Sequence, residues 1–211
     1  MKHSFAGLWV TVLLAAGIAG CATPDKPVRA TLYDLGPGPL TAQVPSQAPL
    51  APVVLADIES SAALDGSAVH YRLGYADTHQ LRPYAQARWS APPPQLIRQR
   101  LREQLARGRP VLDVGESAAL SRIGGVMPRV LRIELEEFSH YFESQSQSSG
   151  LLRLRVTLME NTSAGEKLIA QRAVLVRQPA ATADAAGGVR ALAAATDAAA
   201  DEIGQWLEQQ R

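Results

Sequence analysis

Cys21 is the only cysteine in the chain and closes the run Ile18-Ala19-Gly20-Cys21. A thiol is the side chain best suited to alkylation, because its thiolate is the strongest nucleophile a protein carries. Small residues ahead of it let a peptidase reach the backbone between Gly20 and Cys21. That is the arrangement of a lipobox, in which the cysteine receives diacylglycerol and the leader is then cut away. With no second cysteine, an intramolecular disulfide is ruled out.

The other side chains able to do chemistry are few. Beyond the leader there are three histidines, His70, His79 and His140. His70 alternates with Val69 and Tyr71 in a strand-like run, and the other two fall near turns or strand ends. Solvated or hydrogen-bonded roles suit all three better than catalysis. Zinc spacings such as H-E-x-x-H or paired C-x-x-C are absent from the sequence, so no metal or other cofactor is expected beyond the covalent lipid.

Gly115-Glu116-Ser117-Ala118-Ala119 lacks the last glycine of a hydrolase elbow, and no lysine of a phosphate loop follows Gly124-Gly125. Glu134, Glu136 and Glu137 invite a paired-carboxylate reading, but an alternating strand face with arginine neighbours accounts for them. Arg98, Arg100 and Arg102 form the densest basic run. On a helix only Arg98 and Arg102 share a face, with Arg100 pointing elsewhere, and a solvated helix face is the reading adopted over phosphate binding. Asn161-Thr162-Ser163 reads as a turn, and Trp89 and Trp206 as core residues.

These residues are carried by a chain with a clear export address. Residues 1–20 have a basic start, Met1-Lys2-His3, then an apolar run from Phe5 to Ile18. As a helix that run reaches roughly 20 Å, short of the roughly 30 Å hydrocarbon core, so a cleaved leader fits better than a permanent span. Acyl chains on Cys21, at about 0.8 kcal/mol per buried methylene, would hold the mature chain on a membrane. Ala22, where an aspartate retains lipoproteins in the inner membrane of enteric-type bacteria, favours the periplasmic face of the outer membrane. Loss of Lys2 leaves twenty basic against twenty acidic residues, a balance that suggests neither nucleic acid nor a strongly charged partner.

Residues 21–52 read as a lipidated, Pro-rich tether of about thirty residues with one short strand at 31–35, standing the domain off the membrane. Residues 53–211 read as a single domain. Val53 to Ile58 and Ala68 to Gly74 are strands parted by a turn at Asp65-Gly66. A short extended piece lies near Gln80–Tyr84. A helix enters at Ser90, with Pro92 to Pro94 in its first turn and Ile97, Leu101 and Leu105 on one stripe, and stops at Gly108. Val111 to Val114 is a short strand.

Leu131, Ile133 and Leu135 then alternate with Arg132, Glu134 and Glu136, and Leu152, Leu154, Val156 and Leu158 alternate with Arg153, Arg155 and Thr157. These strands should pair across a flexible polar loop at 143–150, bringing Glu134 or Glu136 near Arg153 or Arg155. A third strand at 167–178 completes a meander. A helix from Asp184 or Val189 to Glu208 buries Leu192, Ala199, Ile203, Trp206 and Leu207. The fold class is α+β: a mainly antiparallel sheet with a C-terminal three-strand meander and two helices packed on one face.

Taken in order, several of these features resemble one family. They are the lipobox, Tyr33-Asp34-Leu35, Val54 and Leu55 of the first core strand, Leu64-Asp65, and Val69-x-Tyr71-Arg72. Tyr84-Ala85-x-Ala87-Arg88-Trp89 before a helix, the meander, and the closing helix from Ala191-Leu192 to Ile203 continue the match over nearly all of the mature chain. The chain is similar to the ABC-type transport auxiliary lipoproteins, which include the lipoprotein of the paraquat-inducible Pqi system. The resemblance implies a noncatalytic partner of an MCE-domain protein and of the ABC permease and ATPase of an intermembrane phospholipid transport system. It carries over no functional residue beyond Cys21, and leaves the partner-binding surface unknown. Two other readings stay open: a structural envelope lipoprotein that binds another envelope protein or peptidoglycan, suggested by the tether, and a periplasmic hydrolase, suggested only by His70, His140 and Glu136.

Overall fold

A computed structural model describes residues 29–38, 50–115 and 127–210. Its elements run β1 (Thr31–Tyr33), β2 (Val53–Leu55), β3 (Glu59–Ser60), β4 (Ala68–Leu73), β5 (Asp77–Trp89), α1 (Pro93–Leu105), β6 (Val111–Leu112), β7 (Arg129–Phe142), β8 (Ser148–Thr162), β9 (Gly165–Pro179) and α2 (Ala185–Gln209). The α+β class, the meander β7–β9 and the closing helix all stand as the sequence predicts.

Strand β7 organises the sheet. Along one side it pairs antiparallel with β8, which pairs antiparallel with β9. Along the other it takes three short parallel partners in succession, β2 at Arg129–Leu131, β3 at Glu134–Leu135 and β4 at His140–Phe142. Fourteen residues of β7, roughly 46 Å of strand, are long enough to serve all three. The long ladders are antiparallel and the short ones parallel, so the sheet is mixed.

Several boundaries differ from the sequence reading for identifiable reasons. The apolar run from Val53 breaks after Leu55, where Ala56 N–H donates to Leu131 O, and pairing resumes only at Glu59. The extended piece near Gln80–Tyr84 is part of the 13-residue β5, which runs through Pro83. β1 covers only Ala87–Trp89 of β5, so Pro83 lies at an edge, where a missing N–H is tolerated. Ser90 does not start α1: its N–H donates to Tyr33 O, and the helix opens at Pro93, whose fixed φ suits a first turn. The extended run at 111–114 is a strand only at Val111–Leu112. Of the two starts considered for α2, Asp184 is the cap, its carboxylate accepting from Gly187 N–H at 2.7 Å.

The predicted polar loop at 143–150 is shorter than its composition suggests. Ser148, Ser149 and Gly150 are buried residues of β8, and Ser149 Oγ donates to Glu143 Oε1 at 2.6 Å. Gly150 is required there: a Cβ would lie 2.5 Å from the backbone of Ala191 and Leu192. Small residues therefore let α2 lie flat on β8, and the core closes around Leu131, Leu152, Leu154, Val156, Ile97, Leu101, Leu192 and Ile203. Trp89 and Trp206 both belong to that core, as predicted.

The predicted strand at 31–35 joins the sheet over Thr31–Tyr33. β1 pairs in parallel with β5, Thr31 opposite Ala87 and Tyr33 opposite Trp89, and Leu35 is buried in the core. Arg100 of α1 holds it there, Nη2 donating to the carbonyls of Leu35 and of Gly36, the latter at 2.7 Å. Gly38, at φ +67°, wraps the same guanidinium so closely that a Cβ would strike Arg100 Nη1.

Candidate functional site

Cys21 and Gly20, the lipid-attachment and cleavage residues of the sequence reading, lie outside the described residues, as do Ser117 and Gly124-Gly125. The remaining candidates fall into three places.

The first is a buried polar cluster beneath the start of α2. His140, fully buried on β7, sits 2.8 Å through Nδ1 from the Tyr84 hydroxyl, with Tyr71 opposite in register and the Phe142 ring tilted against it at 4.3 Å. It is thus neither solvated nor at a strand end that water reaches. Burial holds its pKa down at about 4, against weaker opposing pull from Asp184 and Glu143. Burial likewise pushes the Tyr84 hydroxyl up, so a neutral phenol and a neutral ring share this one hydrogen bond. A Cβ on Gly188 would run into the imidazole. Packed this tightly, the pair has no room for a substrate; it is a core hydrogen bond. His70 faces the opposite side of the sheet, half-buried, its pKa lowered chiefly by burial and raised in part by Glu137. His79 is exposed and bonded to Asp77. The three histidines are not brought together. Among the described residues no group of His, Cys, Asp and Glu is placed to hold a metal ion.

The second is α1. Arg98 and Arg102 share a face, as their spacing requires, and both grip Asp113, with Arg102 Nη1 at 2.7 Å. Hydrogen bonds from Arg102, then Arg98, keep the Asp113 carboxyl below the usual range. Arg100 corrects the reading of this run as a solvated face: it is buried and spends its guanidinium on the N-terminal segment.

The third is the outward face of the meander. Register sets Glu134 opposite Arg155 and Glu137 opposite Arg153, with an irregularity between Leu135 and Glu137 where Glu136 is inserted. Arg155 bridges both predicted glutamates, Glu134 at 3.4 Å and Glu136 more closely. Arg132 meets Glu166 at 2.6 Å, Arg177 lies over the Tyr141 ring, and Glu137 is clasped by both ends of the Arg72 guanidinium at 3.0 and 2.9 Å. The carboxylates are therefore each committed to arginine, and none is placed as one of a free catalytic pair.

Two residues of this face were not singled out from sequence. Leu168 and Leu175 on β9 are 56% and 54% exposed. Seven residues apart, they would point to opposite faces by parity in a strand without a bulge. The register slips between Leu158 and Met159, so that Leu168 faces Met159 and joins the outward side with Leu175, which faces Arg153. Only the register could have revealed this. β9 pairs with β8 alone and forms the outer edge of the sheet. An apolar groove of about 810 Å³ opens at the far end of the core, between Leu50, Pro52, Met127, Leu158 and Leu207, with Arg129 and Glu160 at its rim.

The model of the ABC-type transport auxiliary lipoprotein component matches residues 33–204. No curated protein matches the chain significantly. Among solved structures it is similar to a Xanthomonas campestris protein of family DUF330, at 19% identity and a TM-score of 0.66, covering 85% of this chain and 96% of that one. A second, uncharacterized protein gives 14% identity and 0.59, over 85% and 99%. A hypothetical protein of Chlamydia trachomatis gives 12% and 0.51, over 76% and 96%. At these identities the likeness is one of fold.

Proposed function

Because the chain belongs to the family of ABC-type transport auxiliary lipoprotein components, we propose that it is the noncatalytic, lipid-anchored member of an ABC transport system that moves phospholipid between membranes. In this reading Cys21 carries the lipid, the anchor lies in the periplasmic leaflet of the outer membrane, and the folded domain docks an MCE-type protein whose permease and ATPase sit in the inner membrane. The observation that carries it is the outward face of the meander. It combines arginine–glutamate pairs with two exposed leucines on an unpaired edge strand, offering a partner both charge pairing and apolar contact. Anchoring such a surface in the membrane where its partner ends raises their effective concentration, so that modest contacts suffice.

A photo-crosslinking residue at Leu175, installed in the full-length chain in cells, tests this. Adducts with an MCE-domain or ABC permease subunit are the expected result. Adducts confined to peptidoglycan or to unrelated envelope proteins would move the assignment to a structural envelope role.

A further inference from the structure

The clamp on the N-terminal segment changes the length of the leash. A tether of about thirty residues spans up to roughly 100 Å and lets a domain take any orientation. The first residue of β1 is Thr31, ten residues after Cys21, and ten residues reach at most about 35 Å. β1 is also the outermost strand on its side of the sheet, reached through β5 and β4 from β7. If the lipid sits on Cys21, the attachment enters at this end of the sheet, with β9 five strands away, about 24 Å at the usual spacing; a reach of about 35 Å leaves the choice of the face that lies down to the surface chemistry.

The surface at that end has the chemistry such a position calls for. Leu32 projects from β1 with 69% of its area exposed, the most exposed of the large apolar side chains described. Arg29 is exposed just before it. Arg190, exposed in the first turns of α2, faces Leu32 across a shallow cleft of about 380 Å³. Asp34, in the same cleft, accepts from Gly36 N–H at 2.7 Å, Asp184 caps α2, and Arg190 donates from Nη2 to Thr182 Oγ1 at 3.3 Å. An exposed apolar side chain with Arg29 three residues before it in sequence and Arg190 across the cleft matches the boundary between phosphate headgroups and acyl chains.

We propose that Arg29, Leu32 and Arg190 rest on the phospholipid surface that holds the acyl chains of Cys21, so that the β9 edge with Leu168 and Leu175 faces away from it. The inference deepens the anchored reading above and depends on it.

The test uses the full lipidated chain in vesicles of phosphatidylethanolamine and phosphatidylglycerol. Cys21 is the only native cysteine, so once it is alkylated, Leu32→Cys or Leu175→Cys supplies the single reactive thiol for an environment-sensitive fluorophore. Doxyl-labelled lipids should quench the probe at residue 32 several-fold more strongly than the probe at residue 175. Reversing charge with Arg29→Glu and Arg190→Glu should remove most of that difference. Equal quenching at both positions, or stronger quenching at residue 175, in chains whose mass shows lipid on Cys21 overturns the orientation alone. A membrane-isolated chain with no lipid on Cys21 overturns the anchored reading and the orientation with it.

Discussion

Arg100 on α1 donates to the backbone carbonyls of Leu35 and Gly36, 65 and 64 residues earlier in the chain, from a side chain that is 4% exposed. A buried guanidinium needs acceptors, and the carbonyls that follow β1 supply them to Nη2, with Asp197 3.6 Å from Nε and Nη1 left without a partner among the described residues. The first strand is thereby fastened to the first helix. Arg100→Gln should cost about 2–3 kcal/mol, the scale of losing hydrogen bonds to a buried charge. Amide exchange at Leu32 and Tyr33 should rise at least tenfold while β8 stays protected. Unchanged exchange in β1 would mean that pairing with β5 suffices to hold it.

The closeness of α2 to the sheet rests on Gly150. Alanine is ordinarily the more stable residue in a strand, yet a Cβ here meets helix backbone, which has no rotamer to yield. Gly150→Ala should lower stability by about 1–3 kcal/mol or more, by overpacking. Gly66→Ala, where a Cβ meets nothing within 4 Å, should leave the denaturation midpoint nearly unchanged.

Acid should weaken the fold through His140. Its folded pKa of about 4 lies below the ordinary histidine value of 6.5, so between these pH values the unfolded chain binds more protons. The stability gained from keeping the ring neutral is present in full above pH 6.5 and is lost as pH falls towards 4. The shift corresponds to a loss of about 3 kcal/mol. Denaturant midpoints measured across this window should slope downwards with acidification, and His140→Asn, which keeps an amide near the position of Nδ1, should flatten the slope.

The arginine–glutamate pairs on the meander face should matter little for folding. Arg155 is half exposed, and pairs of this kind contribute about 0.2–1 kcal/mol. Arg155→Glu should shift the thermal midpoint by only a few degrees yet reduce recovery of transport-system subunits with the full-length chain. A large loss of stability with normal recovery would assign the face a structural role instead.

The pattern of legibility follows from what each signal encodes. Alternation in β7 and β8 and the stripe Ile97, Leu101, Leu105 reflect one face meeting the core, and period alone reveals them. Even the cross-strand meeting of Glu134 with Arg155 follows from that period once a hairpin is assumed, whereas Glu136 reaches Arg155 only through the irregularity after Leu135. Ser148 to Gly150 were misread because polarity marks loops only where nothing covers the chain, and here α2 does. Arg100 was misread because its acceptors are backbone carbonyls, which leave no trace in side-chain pattern. The outward placement of Leu168 depends on a one-residue slip against β8, and a slip reverses every face assignment beyond it. Family membership was readable because it rests on ordered motifs across the whole chain, whereas the exposed leucines of β9 could not be placed on one face until the register was known.

The central claim is that this protein works by being anchored and by binding. Complementation of a deletion strain by full-length Cys21→Ala, expressed at the wild-type level, tests it most directly, with thermal unfolding of the purified variant measured alongside. The account predicts a folded domain with an unchanged melting transition and no restoration of envelope lipid transport. Full restoration by the unlipidated chain would contradict it.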